Sequence, residues 1–246
     1  MKSLLMILIA FLIPIQAIRA QSYQHKADSL QTRLGHTSSD TARIVLMGDL
    51  AVIYARMSDK KQAYPLAYKA LHIAQKQAYP YYTAVAHYRL ANVHLLSFAV
   101  DSAITHYNIT RQLLETNREK ASIQLYAHAT ANLAQAYLDK GYAERGTELL
   151  LTALPLLEKI GDTIPYAIGL HNLAAAFLTL KDYNKAHTYL LKDIALTEHT
   201  EDDPGSKAQS YLSGTLLMYH MDSTARAKYF LDKAEQQLII LGKDRL

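Results

Sequence analysis

Eleven histidines and no cysteine set the chemical possibilities of this 246-residue chain. His87 and His94 stand seven residues apart, which places both on one face of a helix. Imidazole is a common metal ligand, but zinc ligands on one helix are spaced by about three to five residues. The pair therefore points to packing, and no metal is expected. No His-Glu-x-x-His and no Gly-x-Ser-x-Gly sequence occurs. The lack of cysteine removes thiolate sites, disulfides and a lipid-modified cysteine. Gly141 and Gly146 suit a helix turn and a helix contact, not a phosphate-cradling loop. Asn108-Ile109-Thr110 matches a glycosylation acceptor but falls within a helix. No acid, base, nucleophile or metal set converges, so neither catalysis nor a cofactor is expected.

The elements that would carry any site are set by a repeat. A Leu-Ala pair returns as Leu50-Ala51, Leu90-Ala91, Leu133-Ala134 and Leu173-Ala174, with Leu212-Ser213 as a weaker fifth copy. Thirteen residues after each Leu comes a small residue: Ala63, Ala103, Gly146, Ala186 and Ala225. Four after each Leu stand Tyr54, His94, Tyr137, Phe177 and Leu216. Two helices approach closely only where a side chain is nearly absent, so the pattern predicts a helix pair repeated five times. The expected repeats span about 40–77, 80–117, 121–160, 164–200 and 204–242, as one domain, preceded by a capping helix within 21–36. Ser38-Ser39-Asp40 offers an N-cap to the first repeat helix, and Pro80, Pro165 and Pro204 mark helix starts. Pro65 and Pro155 fall inside second helices and are expected to kink or shorten them.

This pattern resembles the tetratricopeptide repeat (TPR), with long helices, since its period exceeds the usual ~34 residues. The family's early Trp is replaced by Met47, His87, Thr130, Leu170 and Gln209. The resemblance implies an all-α, right-handed superhelical solenoid whose first helices line a concave, protein-binding groove. Carried onto this chain, the polar groove positions are Arg56, Tyr88, Asn92, His128, Gln135, Asp139, His171, Thr179, Lys207 and Ser210. Asn and Gln can serve both the donors and the acceptors of a peptide backbone. The family's carboxylate clamp is not expected. Asn92 and Asn132 match its asparagines, but Tyr88, Ile168 and Asn172 stand where cations would be needed.

The ends and the charge place this array. Lys2, an apolar run from Leu4 to Ile15, and small residues from Ala17 to Ala20 have the layout of a signal peptide cleaved after Ala20. Pro14 and Gln16 cut the run short of the ~20 apolar residues a membrane span needs. The expected location is the periplasm or cell envelope of a bacterium, with no membrane association of the mature form. Removal of residues 1–20 leaves 24 basic against 22 acidic residues, a net charge of +2. No basic stripe is present, so nucleic acid is not an expected partner. The expected partner is a protein or peptide ligand. Asp28-Ser29-Leu30 and Asp40-Thr41-Ala42-Arg43 resemble the start of exported TPR arrays of bacterial sensor histidine kinases and related regulators. That resemblance implies an alternative: a sensory ectodomain whose output domain lies outside this chain. Finally, Leu238-Ile239-Ile240-Leu241 spans more than one helical face, which predicts self-association, or binding of a partner, through the C-terminal repeat.

Overall fold

A computed structural model describes residues 21–117, 119–199 and 204–243. The signal-peptide and cleavage readings concern residues 1–20, which lie outside these. The described residues form helices and turns, with no strand among them. Helix α1 covers 21–35. The pairs that follow are α2 (Asp40–Arg56) with α3 (Lys60–Lys76) and α4 (Pro80–Leu96) with α5 (Val100–Leu114). Next come α6 (Lys120–Asp139) with α7 (Ala143–Ile160), and α8 (Thr163–Thr179) with α9 (Tyr183–His199). The last pair is α10 (Pro204–His220) with α11 (Thr224–Lys243). They fall into two compact units, Met1–Arg118 and Glu119–Leu246. Among the described residues, no helix is long and apolar enough to cross a membrane.

In unit 1, α1 packs Ala27 onto a core of Ile44, Met47, Leu50, Ala51 and Tyr54 from α2, completed by α3 and α4. Ser39 caps α2, its side chain accepting from the backbone N–H of Ala42. Unit 2 is built in the same way, with Leu133, Ala134, Leu150, Leu173 and Leu190 almost wholly buried. Gly146 permits the close approach of α6 and α7, since a Cβ there would stand 2.5 Å from a Leu138 methyl and 3.2 Å from the Ala134 carbonyl oxygen. Pro65 and Pro155 do not shorten their helices, which run 17 and 18 residues. Both prolines are exposed, so water can take the carbonyl that each leaves without a partner.

Each pair closes through a three-residue turn whose middle residue is left-handed: Ser58 (φ 62°), Phe98 (63°), Gly141 (82°), Lys181 (60°) and Asp222 (53°). The third turn residue donates its N–H, at 2.9 Å each time, to the carbonyl of Tyr54, His94, Tyr137, Phe177 or Met218. Met218 corrects the fifth repeat. It lies four residues after Gly214, just as Tyr54 lies four after Leu50, so Gly214 and not Leu212 occupies the repeat-leucine position. The small residue of the fifth pair is accordingly Ala227, 8% exposed, in place of Ala225, which is exposed. The physical reason is an exchange of volume between the two helices. Phe230 of α11 fills the space above Gly214, where a Cβ would lie 2.9 Å from its ring. The sequence pattern followed leucine, while the packing follows total volume.

Candidate functional site

The ten residues expected to line a groove do not share one environment. In unit 1, Arg56 is exposed at the end of α2. Tyr88 is buried, its ring 6.0 Å from that of Tyr107, and so presents little surface to a ligand. The Asn92 Oδ1 accepts from the hydroxyl of Tyr107 at 2.5 Å. In unit 2, His128 Nε2 lies 2.7 Å from Asp162 Oδ2. Gln135 donates to Asp139 Oδ1 at 2.6 Å and accepts from Asn172 Nδ2 at 2.5 Å, which gives a polar chain across α6 and α8. Thr179 is exposed, with its hydroxyl turned back on the Ala175 carbonyl. Lys207, half-buried on α10, was placed in the groove by the register that Gly214 corrects. In the corrected register the outward positions of α10 are Leu212, Leu216 and Tyr219, which are 45%, 50% and 72% exposed.

Two of the expected residues meet at one point. His171 of α8 brings Nδ1 to 3.2 Å from Asp193 Oδ2, and Ser210 of α10 donates to the same oxygen at 2.7 Å. Asp193 comes from α9 and is 1% exposed. It lies seven residues after the small Ala186, on the stripe of Leu190, Ile194 and Thr197 that packs inward. The first-helix groove pattern does not reach it, since Asp193 stands on a second helix. The readable signal was an acid on an otherwise inward-facing stripe. No lysine or arginine among the described residues forms an ion pair with it, and His171 balances its charge only when protonated.

These three side chains line a cavity of about 210 Å³ formed by α8, α9 and α10. Ile164, Ile168 and Leu196 supply its apolar wall, and Asn172 joins it to the Gln135–Asp139 chain. The order of the three side chains differs from that of a histidine-activated serine. A serine nucleophile needs a histidine as base, with the carboxylate behind it. Here the carboxylate stands between the two, and the Ser210 hydroxyl donates its hydrogen bond to Asp193. Among the described residues no group of three His, Cys, Asp or Glu is arranged to hold a metal ion.

A second histidine cluster lies in unit 1. His87 Nδ1 is 2.9 Å from His106 Nδ1, His94 stacks on His106 with ring centroids 5.3 Å apart, and the Tyr64 hydroxyl approaches His94 Nδ1 at 3.3 Å. Burial, with His106 beside it, lowers the His87 pKa to about 4, and lowers that of His94 as well. Burial alone lowers that of His106. These rings are core components held neutral.

No family model matches this sequence, and no curated protein matches it closely. Solved structures do. BtubC from P. vanneervenii aligns at a TM-score of 0.76 and 17% identity, over 92% of each chain. A Podosopora anserina putative kinesin light chain with nearly identical TPR-like repeats aligns at 0.69 and 16%, over 85% of this chain and all of that one. The fold is TPR-like. A Rap protein complexed with competence and sporulation factor aligns at 0.66 and 12%, over 93% of this chain and 74% of that one. At these identities the TPR-like likeness concerns architecture, and any site must be argued from this chain's own residues.

Proposed function

We propose that this chain is a non-catalytic protein-binding scaffold, exported to the bacterial cell envelope, that holds a peptide or protein segment on unit 2. The observation that carries the reading is the α8–α10 cavity, where exposed Ile164 and Ile168 stand over a buried polar cluster. An apolar wall with a few convergent polar groups is the usual make-up of a ligand site. The Rap protein bound to its factor supports a TPR-like array in this role. The layout of residues 1–20 supports export. The Ser210–Asp193–His171 order supports binding over catalysis.

The test is recovery of partners from an envelope fraction by the tagged mature chain. Partners retained by the wild type should be lost with Ile164→Asp, Ile168→Asp and kept with Tyr68→Asp, at an exposed position in unit 1. Equal retention by both variants rejects unit 2 as the binding surface. Self-association belongs to the same proposal, since Leu238, Ile239 and Ile240 are each 43–51% exposed near the end of α11. Light scattering at micromolar concentration should give a larger species for the wild type than for an Ile239→Lys, Ile240→Lys variant. Identical monomers reject it.

A further inference from the structure

We propose that the α8–α10 cavity is a receptor for the cationic side chain of a lysine or arginine in a bound peptide. This rests on the reading of the chain as a peptide-binding scaffold and specifies what that scaffold recognises. The cavity, at about 210 Å³, far exceeds the ~10–15 Å³ that a single water requires, so it has room for a side chain. A lysine or arginine has two parts, an apolar stem and a charged head, and each needs its own surroundings. Ile164 and Ile168, 68% and 57% exposed on α8, with Leu196 on α9, give the stem an apolar wall. Asp193 gives the head a carboxylate.

The state of that carboxylate is the stronger argument. A buried charge is tolerated when paired and hydrogen-bonded, and is otherwise destabilising. Asp193 is 1% exposed, and its donors are a neutral hydroxyl and an imidazole, both on Oδ2. An ionised carboxylate has about four acceptor sites, so capacity remains for an incoming N–H. A ligand ammonium or guanidinium completes the pair that the protein leaves partial, through charge-assisted bonds that are stronger than neutral ones. An anionic side chain would face Asp193 without compensation, and a purely apolar one would seal the carboxylate from water. The Asn172 amide also lines the cavity; it donates to Gln135, and its second N–H and its oxygen give it capacity for a peptide backbone.

Fluorescence anisotropy on the whole mature chain tests this with labelled, end-blocked heptapeptides of Gly, Ser and Leu carrying Arg, Lys, norleucine or Glu at the centre. The Arg and Lys peptides should bind at least tenfold tighter than the norleucine peptide, with Glu weakest. Asp193→Asn, which keeps size and hydrogen bonding, should bring Arg, Lys and norleucine to within about threefold of one another. Ile168→Lys, on the exposed wall, places a tethered cation at the same carboxylate and should weaken the Arg peptide at least tenfold with the fold intact by circular dichroism. Equal binding of norleucine and Arg by the wild type overturns cation recognition and leaves the scaffold reading standing. No binding by any of the peptides overturns both. Free arginine that competes as well as the Arg peptide assigns the cavity to a small molecule and overturns the peptide ligand.

Discussion

The second and fourth helix pairs carry different chemistry at the same two repeat positions. Two residues before the repeat leucine stand Tyr88 in α4 and His171 in α8, and seven after the small residue stand Thr110 in α5 and Asp193 in α9. In the second pair the positions are sealed. Tyr88 lies against Tyr107, and the buried Thr110 hydroxyl donates to the carbonyls of His106 at 3.0 Å and Ala84 at 3.3 Å. In the fourth pair the same positions hold a histidine and a buried carboxylate at the wall of a cavity. The framework around them is unchanged: Leu90, Ala91 and Ala103 match Leu173, Ala174 and Ala186, all 4% exposed or less. Two positions that the helix packing does not fix can therefore differ in chemistry from one repeat to another.

Exchanging the chemistry is the most severe test of that contrast. Thr110→Asp places a carboxylate at a fully buried position one turn from His106, a ring that burial holds neutral, and should destabilise the chain by roughly 3–5 kcal/mol in urea melts. A loss below about 1 kcal/mol would mean that the second pair can open as the fourth does. Next comes the framework that the pairs share. Ala91→Leu and Ala134→Leu each enlarge a fully buried residue at the same repeat position. Both should cost about 1–3 kcal/mol by overpacking. A large effect at one and none at the other would break the common register.

Acid should test the buried histidine cluster of the second pair. His87, His94 and His106 are held neutral in the fold, against an ordinary value of 6.5 in the unfolded chain. The unfolded state then binds more protons between about pH 4 and 6.5, so stability is complete above that window and falls as pH drops through it. With its pKa at about 4, His87 accounts for a loss on the order of 1 kcal/mol at pH 5.5. Urea melts at pH 7.5 and 5.5 should show His87→Met reducing the difference by about that amount, and an unchanged difference contradicts a neutral core ring. The smallest change is expected from Asp193→Asn, within about 1 kcal/mol, because the amide keeps an oxygen for the Ser210 hydroxyl while removing a buried charge that no lysine or arginine among the described residues pairs with. That carboxylate would then be maintained for binding, not for folding.

The fold was legible where the repeat keeps a leucine on the first helix of a pair and a small residue on the second. Four copies satisfy that rule, from Leu50 with Ala63 to Leu173 with Ala186, because a small residue facing a large one is a one-dimensional trace of close packing. The fifth copy was misread by two residues because Gly214 and Phe230 exchange volume across the pair, a correlation between distant positions that no local spacing reveals. At the site, His171 and Ser210 could be named from the first-helix pattern, Ser210 through a register that proved wrong. Asp193 could not, since burial of a lone acid is decided by what α8 and α10 bring to it. Tyr88 was placed outward by position, yet Tyr107 draws it into the core.

The central claim, that recognition resides in the fourth pair and its α10 neighbour, is tested most directly by hydrogen–deuterium exchange of the whole mature chain with and without a saturating Arg heptapeptide. Exchange should slow in α8, α9 and α10, with α2 to α5 unchanged, and the slowing should be absent in Asp193→Asn at the same peptide concentration. Protection confined to α2 to α5, or equal protection in the wild type and in Asp193→Asn, contradicts the account.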